Sequence, residues 1–574
     1  MIKKLASSVG EYKKPSILAA LFVALEVAME VAIPYLMSVI VDKGIRTGDR
    51  GTVVLYGCVM VALAAASLVA GVLSARYAAV ASAGFAKNLR ARVFGKVQDF
   101  SFYNVDKFST GSLITRLTTD INFVQMAFML IIRVAVRAPM MFFVAVVMAF
   151  ILNSTLALVF VGIIPVLVVA LVILIRFGFP LFDKMFKMFD AMNNKVQENL
   201  TAIRVVKSFV RESHETEAFR KASEAVQKAQ KRAEKLLVFG MPAFLFCMYG
   251  CMLCVLWFGG HFVINGKMSD GELSSFVVYV MQILMSLLMT AMILVNLVIS
   301  KASAKRITEV LEESPDIADD DADPSLIVKE GSVRFSGVSF SYSKGDNYVL
   351  EDIDFSIAPG ETVGIIGGTG SAKTSLVQLI PRLYDVQKGE VQVGGIPVKK
   401  YTLKNLRDSV AMVLQKNVLF SGSIRENLKW GKEDATEEEL RAAAKTAQAD
   451  DFIMSFPDGY DTELGQGGVN VSGGQKQRLC IARALLKHPK IMILDDSTSA
   501  VDTATEQKLR EGLRRELSDT TVIIIAQRIS SVMGADKIIV LDKGRINAIG
   551  THAELLAGNE IYREVYESQR KGVN

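Results

Sequence analysis

The sequence predicts a multidomain membrane protein: an all-α domain of six membrane-crossing helices, followed by an α/β P-loop domain. Three observations predict it. The 574 residues are 51% hydrophobic with a mean hydropathy of +0.34, too apolar for an ordinary soluble chain, and the apolar residues crowd the first half. Six stretches there are long enough to cross a bilayer, which takes about 20 residues each. The second half places Gly367-Gly368-Thr369-Gly370-Ser371-Ala372-Lys373-Thr374 directly after the strand-like Thr362–Ile366, a glycine-rich turn suited to cradling phosphates with backbone N–H groups.

The expected spans are Pro15–Ile40, Val53–Leu73, Met129–Leu152, Leu156–Ile175, Leu236–Ile264 and Leu273–Ile299. The connections Asp42–Thr52, Asn153–Thr155 and Asn265–Glu272 are short. Arg76–Val124 and Arg176–Lys235 are long, rich in Lys and Arg, and helical in pattern. Positive-inside logic puts these long loops and both termini in the cytoplasm. The net charge of +6 is therefore no sign of a nucleic-acid partner. Lys3, Lys4, Lys13 and Lys14 lead into the first span without a small-residue cleavage site, so an anchored N-terminus is expected rather than a removable signal. The lipid bilayer is thus the first partner. The five cysteines imply no disulfide framework.

Ionisable groups at membrane depth are costly and need a partner or a cavity. Glu26 and Glu30 lie one turn apart on the first span, Arg133 and Arg137 on the third. The acids are suited to cationic substrate, proton relay or pairing with either arginine. Arg176 is expected at the cytoplasmic boundary. Met281, Met285, Met289 and Met292 form one helical stripe, fitting either ordinary packing or a pathway wall that accepts varied apolar ligands. Cys247, Cys251 and Cys254 share a face of the fifth span, where close helix packing is the plainer reading and a soft metal ion the other.

The acidic, proline-bounded run Asp316–Pro324 reads as a linker. Alternating patterns at Val333–Phe335 and Val338–Tyr342 open the second domain. Ile491–Asp495 is an apolar run ending in Asp495 and Asp496, expected as a buried parallel strand that delivers acid to a sheet edge. Val471 precedes Ser472-Gly473-Gly474-Gln475, a turn that opens a helix and offers N–H groups and a dipole end to an anion. A phosphate loop, a metal-binding acid and a second anion-binding turn together indicate a nucleoside triphosphate.

These motifs make the chain resemble an ABC exporter half-transporter, a fused membrane domain and ATP-binding cassette, along essentially its whole length. The resemblance implies a type IV exporter-type membrane domain at residues 1–312 with coupling segments in its long loops, a linker at 313–330 and the cassette at 331–574. The coupling segments match Phe102-Tyr103 with Gly111–Asp120, and Ala202–Glu212. It also implies ATP and Mg²⁺ as cofactors. Tyr342 matches the aromatic that stacks on adenine. Gly367 to Ser375 match the phosphate loop, with Lys373 on the β- and γ-phosphates and Thr374, Gln415 and Asp495 at Mg²⁺. Ser472, Gly473, Gly474 and Gln475 match the signature turn, and Ser499–Asp502 the crossing between cassettes. Ala372 stands where the family has glycine, a methyl expected to be tolerated in a helical backbone.

Two departures concern catalysis. The family has glutamate where this chain has Asp496, and histidine where it has Gln527; Gln466 also replaces a common glutamate. The resemblance is therefore to the degenerate-site subunit of bacterial heterodimeric multidrug exporters. Such a chain binds ATP, hydrolyses it slowly at its own site, and lends its intact turn to a partner half-transporter with proper Glu and His. The expected setting is the cytoplasmic (inner) membrane, with the cassette in the cytoplasm and amphiphilic, drug-like compounds as substrate. The alternatives are a lipid or peptide exporter, a slow homodimer, or an ATP-gated channel or regulatory subunit. A soluble nucleic-acid ATPase is disfavoured by the spans.

Overall fold

The computed structural model describes residues 2–343, 345, 347–496 and 503–571. They fall into two compact units, Met1–Gln98 with Thr110–Glu313, and Asp99–Ser109 with Ser314–Asn574. The expected turn Ser499–Asp502 lies outside the described residues.

The first unit is helical. Its long helices are α1 (Lys13–Val39), α2 (Arg50–Gln98), α4 (Ile121–Leu152), α5 (Ser154–Thr201), α7 (Glu212–Ile264) and α8 (Asp270–Glu312); the short helix α6 (Ile203–Ser208) lies in one long loop, and α3 (Phe102–Phe108), in the other, falls in the second unit. Among the described residues, five helical runs are long and apolar enough to cross a membrane. This is one fewer than the six expected. The fourth expected span falls in α5, whose apolar described stretch, Ser154–Val166, is shorter than a span.

The helix ends follow from side-chain caps. Ser269 and Glu272 form a capping box at the start of α8, and Asp42 accepts from the Ser269 hydroxyl at 2.5 Å and from the Gly271 N–H at 3.0 Å. A Cβ on Gly271 would sit 2.5 Å from the Ser38 carbonyl, so this approach needs glycine. Tyr279 is fully buried, and its hydroxyl donates to the Val31 carbonyl at 2.7 Å. That bond removes the cost of burying a phenol.

Arg137 on α4 donates to both Glu26 and Glu30 on α1, the latter at 2.7 Å. Of the roles open to these acids, pairing with Arg137 is the one seen. Gly71 on α2 leaves room for the Glu26 carboxylate, which lies 3.1 Å from where a Cβ would stand. Arg176 is exposed. Met281 is half-buried, whereas Met285, Met289 and Met292 are exposed. Cys251 is buried, Cys247 is half-buried and Cys254 is exposed, so the three do not share one environment. No metal-holding group of three His, Cys, Asp or Glu occurs among the described residues. Near the start of α4 and the end of α8, buried Asp120 accepts two bonds from Arg306 of α8, one of them at 2.7 Å, and Arg116 pairs with Glu309 at 3.2 Å.

The second unit is built on two main sheets, with a small two-stranded pair at Gly422–Ser423 and Glu463–Leu464. β1 (Val333–Phe340), β2 (Leu350–Ile357), β4 (Lys388–Val393) and β5 (Ile396–Pro397) form an antiparallel sheet in the order β2-β1-β4-β5. The two expected strand patterns are joined in β1, with register shifts after Phe335, and Tyr342 lies beyond the strand rather than in it. The larger sheet contains β3 (Thr362–Ile366), β6 (Val410–Val413), β7 (Ile491–Asp495), β8 (Thr521–Ile525), β9 (Lys537–Asp542) and β10 (Arg545–Gly550), in the order β10-β9-β3-β8-β7-β6. β3 and β7 flank β8 in parallel, so their C-terminal ends open on the same edge. Such an edge is where α/β sheets place ligands. All five residues of β7 are buried, which explains its unbroken apolar run.

The acidic run expected to be a free linker is bonded to this unit. Asp319 accepts from the Leu403 N–H at 2.9 Å, and the Asp323 N–H donates to the Lys400 carbonyl at 2.8 Å.

Candidate active site

The phosphate loop runs from the end of β3 into α9 (Lys373–Gln378). Its glycines have separate reasons. A Cβ on Gly367 would lie 2.2 Å from the Leu541 carbonyl, and Gly370 has φ +81°. Lys373 Nζ donates to the carbonyls of Gly367 at 2.9 Å and Gly368 at 2.8 Å, folding the ammonium over the loop.

Ala372 corrects the expectation from sequence. It has φ +72° and ψ +23°, which is left-handed and not helical. A side chain there costs about 1–2 kcal/mol through the clash of Cβ with the following carbonyl, and glycine is the residue that avoids it. Ala372→Gly is accordingly expected to relieve about 1 kcal/mol of loop strain and to tighten nucleotide binding several-fold. Titration with a fluorescent ATP analogue checks this; unchanged affinity and unchanged thermal stability would contradict it.

A cleft of about 510 Å³ is lined by Gly367, Gly368, Thr369, Gly370, Ser371, Ala372, Lys373, Thr374 and Ser375, with Gln415, Asp495, Asp496 and Gln527. Thr374 donates to Asp495 at 2.8 Å. Burial pushes the Asp495 carboxyl above its ordinary range, helped by the nearby Asp496 charge, against the Thr374 bond and the Lys373 charge. Burial pushes the Lys373 ammonium down, opposed by both aspartates. A half-buried base that needs an anion therefore faces a buried acid that needs a cation. The donor set, hydroxyl and carboxylate with an amide nearby, is all oxygen and suits Mg²⁺.

Asp496 follows β7 with φ +48°, a left-handed backbone in which aspartate is several-fold enriched. Its Oδ2 accepts from Gln527 Nε2 at 3.0 Å and lies 3.4 Å from Gln415 Nε2. The two substituted positions thus meet each other. Buried Gln477, not singled out in the sequence, reaches the Asp496 carbonyl at 3.4 Å. Its place one and a half turns into the helix that Ser472 opens was the available signal.

Tyr342 stands beside the loop, with its hydroxyl 2.8 Å from Ser375 Oγ. Ser472, Gly473, Gly474 and Gln475 do not line this cleft. They begin α10 (Gly473–Leu485), where Ser472 and Gln475 form a reciprocal capping box. Ser472 and Gly473 are exposed. A second, apolar cleft of about 340 Å³ is lined by Leu414, Lys416, Val418, Phe420, Trp430 and Arg483 among others. Gln415 sits between two residues of that cleft while it lines the first.

The family description "ABC transporter transmembrane region" matches residues 16–287, and "ABC transporter" matches residues 350–499. An uncharacterised ABC transporter ATP-binding protein of Bacillus subtilis (strain 168), YfiB, is 38% identical over 99% of this chain and 98% of its own. The ATP-dependent lipid A-core flippase of Desulfotalea psychrophila is 32% identical over 99% of each chain. A bacterial Atm1-family ABC exporter with ATP bound is similar in structure, with TM-score 0.85, 26% identity, and coverage of 97% of this chain and 98% of that one. The chain therefore belongs to the ABC transporter family as a multi-pass, ATP-driven exporter, a membrane domain fused to a cassette whose ATPase activity is coupled to transport.

Proposed function

We propose that this chain is the degenerate-site subunit of a heterodimeric exporter of amphiphilic compounds. Its own cleft binds MgATP: Tyr342 stacks on the base, the loop from Gly367 to Ser375 and Lys373 hold the phosphates, and Thr374, Gln415 and Asp495 hold Mg²⁺. Bound there, Mg²⁺ would neutralise charge that develops between the β- and γ-phosphates. Hydrolysis at this site is slow. The Asp496 carboxylate is shorter than a glutamate's by one C–C bond, about 1.5 Å. It is also engaged by the Gln527 amide, which cannot become a cation as a histidine can. The exposed Ser472–Gln475 turn completes the ATP site of a partner that carries Glu and His.

The observation that carries this reading is the contact between the two substituted residues, Gln527 on Asp496, in a chain whose Ser472 capping box is intact. The setting is the cytoplasmic membrane, with six spans in residues 1–312, a connecting segment at 313–330 and the cassette at 331–574 in the cytoplasm. Exposed Met285, Met289 and Met292 support amphiphilic substrates. A relative in Bacillus subtilis, 33% identical over 84% of this chain, is named a probable multidrug resistance ABC transporter protein. Purification of this chain alone tests the pairing. Little ATPase activity is expected until the partner is added, and robust hydrolysis by the single chain would reject it.

A further inference from the structure

Helix α3 is encoded in the first half of the chain but packs into the cassette unit. Buried Asn104 anchors it. Its side-chain amide donates to the Ser314 carbonyl at 3.2 Å, and its oxygen accepts from the Asp316 N–H at 3.1 Å. Phe102 of α3 packs on Tyr384 with ring centroids 6.0 Å apart. The Tyr384 hydroxyl donates to Asp106 of α3 at 3.3 Å. The same ring meets Tyr342 edge-on, at 5.1 Å and 87°. Tyr342 in turn reaches Ser375, in the first turn after the phosphate-binding Lys373. Burial first, then the Asp106 charge, raises the Tyr384 pKa, so the hydroxyl remains a donor at neutral pH.

We propose that Tyr384 is a positioning residue that ties the base-side wall of the nucleotide cleft to helix α3 through its hydrogen bond to Asp106. The proposal rests on the reading of Tyr342 as the base platform. A base stacked on Tyr342 restricts that ring, the edge contact restricts Tyr384, and the hydroxyl passes the restriction to Asp106. Occupancy of the cleft is thereby felt by a helix belonging to the loops between spans.

Hydrogen–deuterium exchange of the 102–108 segment in the full-length chain tests this, with and without MgATP. ATP is expected to slow exchange there in the wild type. Tyr384→Phe, which keeps the ring and removes only the hydroxyl, should reduce that ATP-induced protection about three- to tenfold, the range of one hydrogen bond of ordinary strength. Asp106→Ala should do the same, whereas Asp106→Asn, which keeps an acceptor oxygen, should retain most of it. The double variant Tyr384→Phe with Asp106→Ala should be no worse than either single one. Equal protection in the wild type and Tyr384→Phe, no ATP effect in the wild type, or additive losses would overturn the proposal. Binding of TNP-ATP to Tyr342→Ala separates the two readings. Unchanged affinity removes Tyr342 as base platform, and with it the base-side half of the tie, whatever the exchange data show for Tyr384 and Asp106.

Discussion

Gly473→Asp in this chain is expected to lower ATP hydrolysis by the assembled transporter by at least about 100-fold, while nucleotide binding in the chain's own cleft is unchanged. Two effects of the new carboxylate have opposite signs. For α10 alone, an acid in the first turn is favourable by about 0.3–1 kcal/mol, because it complements the positive end of the helix. Gly473 is also exposed, so the side chain has room. For a phosphate approaching the turn, the same charge repels. Two unit charges about 4 Å apart at an effective dielectric constant of about 20 cost about 4 kcal/mol. The variant should therefore fold as well as the wild type and fail in function. Steady-state ATPase and thermal unfolding, measured on the same preparation, separate the two. A stable variant that hydrolyses ATP at the wild-type rate would show that the turn faces no phosphate.

Asp496→Glu combined with Gln527→His is expected to raise hydrolysis at the chain's own site by about 10–100-fold. Placement of the attacking water dominates this estimate, since an error of about 1 Å can cost about 100-fold. The second substitution acts with the first, because Gln527 holds the Asp496 carboxylate at 3.0 Å; lengthening the acid without changing the amide leaves the two in contact. Either single variant should accordingly gain less than the pair. The gain has a limit in the backbone. Position 496 has φ +48°, which aspartate tolerates better than glutamate, so the longer acid adds up to about 1 kcal/mol of strain. Single-turnover hydrolysis, with the partner's site disabled, reads the effect directly.

Much of the fold was legible in the sequence, for physical reasons that also mark what was not. Thr362–Ile366 is a strand with the expected bounds because it is a short apolar run closed by a glycine turn. Ile491–Asp495 follows the same rule, and its terminal Asp495 and the following Asp496 both line the cleft. The phosphate loop was legible by spacing, but the left-handed backbone at Ala372 was not: spacing identifies a loop without giving the dihedral angle of one residue. The acidic composition of Asp316–Pro324 suggested a free linker. It gave no sign that Asp319 would cap Leu403, because such a bond depends on chain brought near from far along the sequence. Tyr384 and Asp106 illustrate the same limit, since their contact joins a cassette side chain to a loop between spans. The pairing of Arg137 with Glu26 and Glu30 was one of several roles the sequence left open. Periodicity fixed which face the acids share, and the partner followed only from the packing of α1 against α4.

Single-turnover hydrolysis by the proposed heterodimer with both cassettes loaded with γ-labelled ATP tests the central claim most directly. The account predicts two phases of equal amplitude: one ATP cleaved quickly at the site completed by Ser472, and one cleaved slowly in the cleft of Lys373 and Asp495. Cleavage of both nucleotides in a single fast phase would contradict it.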